Sequence, residues 1–349
     1  MNYDAFEILD LPIRQYIQNE LFAHTIGYLG KPNQDDTGEF INALRNNQVG
    51  KNGLERQYED FLSGTSGEII FEGSKIINFK QPIPGNDLFL SIDSLTQSVV
   101  RESLQQGIEL ANKSFASSSE IKRGAAVVLD IETGNVVSMV SLPDYDPNKF
   151  ITGISDFEYK QLDREQAFNN FAIQGLYPPG SVFKVVAYWL AISENIFPEE
   201  LNNKDSNIDC EGSLSFGFDD GSQQVYNDWK LEGHGKVDLG EAIRQSCNVY
   251  FWDIALKIWR NFGNTEAESV LQDYSRELGF SNKTNIDLPF EKVGIIPDRE
   301  LFEEWKISRP GLIREEGWLG GDLMNLIIGQ GAITTTPLQV ANAYRTLLT

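Results

Sequence analysis

Two residues three apart carry the sharpest chemical signal in this sequence. Ser181 and Lys184 open an apolar run that continues to Ile192 and follows directly on Tyr177-Pro178-Pro179-Gly180. Paired prolines keep that turn out of a regular helix, so the run predicts a buried helix beginning at or near Ser181. Residues three apart share a helix face, which brings the two side chains within reach, at about 2.6–3.2 Å between Oγ and Nζ. A serine hydroxyl is a weak nucleophile until a base takes its proton. A lysine in an apolar setting has its pKa lowered enough to be that base. The helix amino terminus also favours a developing anion. The chemistry on offer is nucleophilic catalysis by serine. Alone, the spacing is weak: an N-capping serine and a lysine stem lying along an apolar surface give the same pattern.

A second constellation comes from scarcity. The chain has two cysteines, Cys210 and Cys247, and two histidines, His24 and His234. Three of these four fall between positions 210 and 247, and Asp228 precedes His234 by six. Asp, His and thiolate are all zinc ligands. Cys210, Asp228, His234 and Cys247 are therefore candidate metal ligands. A closed set of four would make a zinc ion structural, since no position stays open for water. A Cys210–Cys247 disulfide, suited to an oxidising compartment, competes with this reading, and so do two unrelated buried thiols. The co-location of a rare histidine with both cysteines favours metal.

The elements that must position these residues are legible in part. A length of 349 residues suggests two domains. The formal net charge of −22 argues against a nucleic-acid or anionic-membrane footprint. No apolar run reaches the roughly 18 residues that span a bilayer, and the first ten residues lack the pattern of a signal peptide. Helix-like stretches at Ile8 to His24 and Thr37 to Leu44 precede short alternating strands over Gly67 to Phe79, with a turn at Gly73-Ser74. Pro82, Pro84 and Gly85 make a linker-like break. Leu88 to Ile92 reads as a strand, followed by a helix capped by Asp93 or Ser94 and running to about Ser114. Phe115 to Lys122 reads as a loop. Gly124 to Asp130 and Val136 to Ser141 read as a hairpin around Glu132-Thr133-Gly134-Asn135. Helices dominate the rest.

Several segments together resemble one family. Ser181-Val182-Phe183-Lys184 is similar to the S-x-x-K motif of penicillin-binding proteins, and Ser246-Cys247-Asn248 to their S-x-N motif. Gly50-Lys51-Asn52-Gly53-Leu54-Glu55-Arg56-Gln57-Tyr58-Glu59 resembles a structural signature of the elongation-type class B enzymes, the penicillin-binding protein 2 subfamily. Residues 327–342, Ile-Ile-Gly-Gln-Gly through Thr-Pro-Leu-Gln-Val-Ala-Asn, look like their G-Q-G segment, and Asp228 to Gly235 like a stretch that binds zinc in some members.

The resemblance implies an α+β fold. A non-catalytic pedestal of dimerisation type is expected over residues 1–88. A transpeptidase domain follows over 89–349, with an antiparallel sheet flanked by helices and a helical subdomain. It implies a peptidoglycan D,D-transpeptidase that cross-links stem peptides through a serine acyl-enzyme and is a target of β-lactams. Ser181 would be the nucleophile and Lys184 its base. Ser246 would shuttle protons, and Asn248 would touch the lysine and the substrate. An elongation-type glycosyltransferase and cell-shape proteins are the implied partners. The extracytoplasmic face of the bacterial membrane is the implied location, with the anchor outside this sequence.

One departure stands out. The family's K-T-G motif is missing, because Lys283-Thr284-Asn285 precedes the G-Q-G segment instead of following it. The expectation is a chain truncated at both ends and poorly active by itself. A β-lactam sensor or class D β-lactamase-like protein, and a non-catalytic pseudo-transpeptidase scaffold, are the rival readings. The Gly53-Leu54-Glu55 signature counts against the β-lactamase, and the missing K-T-G lends weight to the scaffold.

Overall fold

The computed structural model describes residues 13–39, 48–73, 75–114, 120–198, 203, 207–217 and 223–349. They divide into two compact units. One comprises Met1–Asp130, Asn135–Gln174 and Asn285–Glu291, the other Ile131–Gly134, Gly175–Thr284 and Lys292–Thr349.

In the first unit, the segment from Gly50 to Glu59 shows why its residue types recur together. Val49–Gly50 pairs antiparallel with Leu29–Gly30. Asn52 Oδ1 then caps the short helix Gly53–Gln57 by accepting the Gly53 N–H. Gly53 has φ +59°, and a Cβ there would lie 2.5 Å from Gly27 N, so only glycine fits. Buried Glu59 accepts the Gly50 N–H at 2.8 Å. Buried Glu55 pairs with Arg14 at 2.8 Å and accepts the Tyr16 hydroxyl at 3.2 Å. Lys51 and Arg56 both pair with buried Asp36. All four charged residues of the segment serve to close the local fold.

The same unit holds two hairpins, Glu68–Glu72 with Lys75–Lys80 and Gly124–Leu129 with Val136–Leu142. The helix Ser94–Ser114 lies against the second hairpin. Asp93 Oδ1 caps it by accepting the Thr96 N–H at 2.7 Å. Buried Gln97 bonds both the N–H and the C=O of Met139. The strand expected at Leu88 to Ile92 does not form. Ser91 Oγ donates to Val136 O and Asp93 N to Val137 O, but these two bonds make no ladder, and Phe89 is left exposed. A strand requires a continuous partner edge, which the local pattern cannot report. In the described part of the helix expected over 8–24, residues 13–24, the chain forms only a 3-10 turn at Asn19–Phe22 and the start of a helix at Ala23–Ile26. Residues 8–12, most of the stretch 37–44, Ser74 of the expected turn and 115–119 of the expected loop lie outside the described residues.

The second unit is a helical body with short hairpins. A 3-10 turn, Gly180–Phe183, runs directly into the helix Lys184–Ser193. Next to it lies the helix Asn248–Phe262, whose buried residues include Val249, Tyr250, Phe251 and Trp252 in succession. A helix apolar on so many sides must be surrounded. The helices Lys184–Ser193 and Gly320–Ile327 both pack on it. Phe183, Leu190, Leu323 and Trp318 join it in one core. Ser213–Gly217 pairs with Gln223–Asn227, and Ile208–Cys210 with Gly235–Val237, setting Cys210 opposite Gly235. Among the described residues every sheet is two-stranded and antiparallel, and no helix is long and apolar enough to cross a membrane. Helices mixed with antiparallel strands make the fold α+β.

Candidate active site

The turn that carries Ser181 is held from outside its own sequence. Tyr177 and Thr335 exchange backbone hydrogen bonds at 3.0 and 2.9 Å, and the Gly180 N–H donates to Gly329 O at 2.9 Å. Gly329 has φ +72°, and a Cβ there would sit 2.1 Å from Gly180 O. The Tyr344 hydroxyl donates to Val182 O at 2.9 Å. The G-Q-G segment is thus the clamp on the turn that carries Ser181, a role that its sequence did not disclose.

Ser181 is exposed, whereas Lys184, three residues on, is completely buried. Three acceptors surround its Nζ: Ser246 O at 2.7 Å, Ser246 Oγ at 3.1 Å and Asn248 Oδ1 at 2.6 Å. The Phe251 ring lies 5.6 Å away. Burial lowers the Lys184 pKa to about 8, against the opposing pull of Asp228 and Cys247. Ser181 Oγ makes its described hydrogen bond to Ser246 Oγ, at 2.8 Å, and not to Lys184. The direct contact expected from helix spacing is therefore replaced by a line of three groups, Ser181, Ser246 and Lys184. The reason is burial: Nζ turns inward to acceptors while Ser181 stays at the surface.

The line also implies proton positions. An ammonium has three N–H donors and fills all three acceptors. A neutral amine has two, which suit the carbonyl and the amide oxygen. Its lone pair then faces Ser246 Oγ, so the Ser246 hydroxyl can donate to Lys184 and accept from Ser181.

The Ser246–Asn248 segment is set by a strained bend. Ser246 has φ +58°, the left-handed region; such a conformation in a residue other than glycine costs of order 1–3 kcal/mol and persists only where the surroundings hold it. Cys247 is the N-cap position of the helix Asn248–Phe262 but makes no side-chain cap. Asp228 does so from a distance. Its Oδ2 accepts the N–H groups of Asn248 and Val249 at 2.8 and 3.3 Å, placing a carboxylate where the helix dipole favours one. Trp229, a member of the Asp228–Gly235 stretch with no expected role of its own, donates its indole N–H to Ser246 O at 3.1 Å.

Behind this segment, donor atoms of Cys210, Asp228 and Cys247 lie within 4.8 Å of one another, all three residues buried. The two thiols are free and 3.3 Å apart. Burial pushes the Cys247 thiol well above its usual range. His234, the fourth candidate, places Nε2 3.5 Å from Asp228 Oδ1 and Nδ1 3.4 Å from Gln245 Oε1. Two sulfurs and a carboxylate gathered around one buried point are zinc donors in kind, while His234 stands outside that cluster, beside Asp228. Lys283-Thr284-Asn285 lies in irregular chain with Lys283 exposed.

Comparison with known proteins agrees with this fold. The model of the penicillin binding protein transpeptidase domain matches residues 124–349, and that of the penicillin-binding protein dimerisation domain residues 1–90. The chain belongs to the penicillin-binding protein transpeptidase family. Within that family it is similar to the penicillin-binding protein 2 group. It is 34% identical to the peptidoglycan D,D-transpeptidase MrdA of Acinetobacter baumannii, over 95% of this chain and 45% of that one. It is 30% identical to MrdA of Escherichia coli K12, over 99% and 51%. The crystal structure of Pseudomonas aeruginosa PBP2 in complex with WCK 5153 matches with a TM-score of 0.71 at 32% identity, over 97% of this chain and 65% of that one. A complex of PBP2 and MreC from Helicobacter pylori matches at 0.72 and 31%, over 93% and 55%. The chain spans about half the length of the curated relatives it matches.

Proposed function

We propose that this chain is the acylating part of a peptidoglycan D,D-transpeptidase that cross-links stem peptides during cell-wall elongation and is a target of β-lactams. One observation carries the reading: an exposed hydroxyl, Ser181, is joined through Ser246 at 2.8 Å and then 3.1 Å to a buried amine.

Ser181 Oγ attacks the carbonyl of the penultimate D-Ala in a D-Ala-D-Ala stem. Its proton moves to Ser246, whose own proton moves to Lys184. The Ser181 N–H is one donor to the oxyanion. Collapse breaks the peptide C–N bond. The leaving D-Ala amine recovers the proton along the same line, and Ser181 is left as an ester. The amine of a neighbouring stem resolves that ester and returns a proton to Ser181. A β-lactam carbonyl enters the same first step. Asn248, bonded to Lys184, orients the base.

Zinc is part of this proposal. Cys210, Asp228 and Cys247, with His234, would hold it behind Ser246 and Asn248. Bound there, it supplies structural bracing and no reacting group. The place of action is the outer face of the bacterial membrane. Partners of the kind seen with relatives follow: MreC, solved with the Helicobacter pylori protein, and a peptidoglycan synthase complex, whose matching chain has a TM-score of 0.73 at 25% identity.

The test is covalent labelling of the full-length protein with a fluorescent penicillin, read by intact mass and peptide mapping. The expected result is one adduct on Ser181, lost in Ser181→Ala. An unlabelled wild-type protein, or an adduct elsewhere, refutes the reading.

A further inference from the structure

We infer that Trp229 is a positioning residue for acylation, its indole N–H holding the Ser246 carbonyl and so the hydroxyl that joins Ser181 to Lys184. The inference rests on the transpeptidase reading above.

The Ser246 carbonyl has two donors, Lys184 Nζ at 2.7 Å and Trp229 Nε1 at 3.1 Å. They are not equivalent during a turnover. Lys184 passes between two and three N–H groups as it takes up and returns a proton, and its hold on the carbonyl changes with its charge. The indole N–H does not titrate. It keeps the carbonyl in place in both states.

That hold matters because Ser246 occupies the left-handed region at φ +58°. Its own N–H reaches Ile243 O at a long 3.3 Å. A strained residue stays where it is only while its neighbours over-determine it. Asp228, one residue before Trp229, grips the N–H groups of Asn248 and Val249. The dipeptide Asp228-Trp229 therefore secures the peptide group on each side of Cys247, one by its N–H and the other by its C=O.

The setting of the ring points the same way. Trp229 is 65% exposed, with one edge against His234 at 5.4 Å between ring centroids. A large aromatic ring left in solvent contributes little packing, so its replacement opens no cavity. The effect of losing its N–H should then separate cleanly from an effect on folding.

The experiment measures the acylation rate constant, and the dissociation constant of the preceding non-covalent complex, for a fluorescent penicillin with the full-length protein. Trp229→Phe keeps an apolar ring and removes the donor. Acylation is expected to slow about tenfold, the scale of one lost hydrogen bond, with the dissociation constant and melting temperature nearly unchanged. A double-mutant cycle supplies the second readout. On a Ser246→Ala background the same substitution should cost close to nothing, because the hydroxyl it positions is gone. An unchanged acylation constant in Trp229→Phe overturns the inference. So does an equal loss on both backgrounds, or a loss that tracks a fall in melting temperature. Wild-type protein that penicillin does not label defeats the functional reading itself, and this inference with it.

Discussion

Two segments of this molecule bury charge behind glycine-rich turns, and they do so to opposite ends. Around Gly50–Glu59, Glu55, Glu59 and Asp36 are each matched by a cation, a hydroxyl or a backbone N–H, and the network closes on itself. Around Ser181 and Ser246, the buried Lys184 is equally well surrounded, but its network ends at an exposed hydroxyl. Burial shifts both titrations toward the neutral form, raising the Glu59 carboxyl and lowering Lys184. What separates a structural buried charge from a reactive one is therefore not the shift but where the hydrogen bonds lead.

The largest expected difference sets Lys184→Met against Glu59→Ala. Removing a general base costs about 10²–10⁴ in rate, and acylation of Lys184→Met should fall within that range in a protein that still folds. Glu59→Ala leaves the buried Gly50 N–H without its partner and should cost about 1–3 kcal/mol of stability, with acylation unchanged per folded molecule. Denaturant titration alongside penicillin labelling checks both. A hundredfold acylation loss in fully folded Glu59→Ala would break the comparison.

A pair of glycines sharpens it. Gly53 and Gly329 both have positive φ and both lie against backbone, 2.5 Å from Gly27 N and 2.1 Å from Gly180 O as measured from a built Cβ. Alanine at either should destabilise by more than about 1 kcal/mol. Only Gly329→Ala should also slow acylation, by about tenfold, because Gly180 immediately precedes Ser181, the proposed nucleophile, and misplacement is amplified in rate. Equal effects of the two substitutions on acylation would erase the distinction.

Lys184 also gives a pH dependence. Its folded pKa is lowered to about 8 from 10.5. The neutral base therefore accumulates as pH rises, and acylation should climb through a midpoint near 8. The stability sign follows from the same shift. Between the folded and unfolded values the unfolded chain holds the extra proton, so this group makes stability rise with pH across that window. Lys184→Met should flatten both curves.

The sequence made some of this legible and hid the rest for a definable reason. Ser181 and Lys184 stand out because residue type, spacing and a following apolar helix coincide locally. The Gly124–Leu129 hairpin and the Asp93-capped helix are local in the same sense. What the sequence hid depends on partners far along the chain. The Gly329 clamp on Gly180 joins residues 149 apart. The detour of the Ser181 contact through Ser246 depends on where a distant loop delivers a carbonyl. The left-handed bend at Ser246 carries no glycine to announce it. Trp229 has nothing in sequence beyond its place in the Asp228–Gly235 stretch to mark it, and only its hydrogen bond distinguishes it.

The smallest expected effect concerns the donor cluster, and it tests whether the reactive segment borrows the closed style of the structural one. Cys210, Asp228 and Cys247 converge, and Asp228 caps the helix Asn248–Phe262 through Oδ2, leaving Oδ1 toward His234. His234 makes its contacts at 3.4 and 3.5 Å, the long end of hydrogen bonding. Held so loosely by hydrogen bonds, it should contribute chiefly as a ligand to the proposed zinc ion. His234→Ala in the full-length protein should therefore lower zinc content to well below one ion per chain and slow acylation by a few-fold, as loss of one ligand loosens the brace behind Ser246 and Asn248. Chelation of the wild-type protein should reproduce the same few-fold loss and add nothing to His234→Ala. Metal content by mass spectrometry and penicillin acylation rates, measured on the same samples, decide it. Wild-type protein that holds no metal as isolated, with a His234→Ala variant whose acylation rate is unchanged, would leave Cys210, Asp228 and Cys247 as a packed cluster, with Asp228 acting as a helix cap alone.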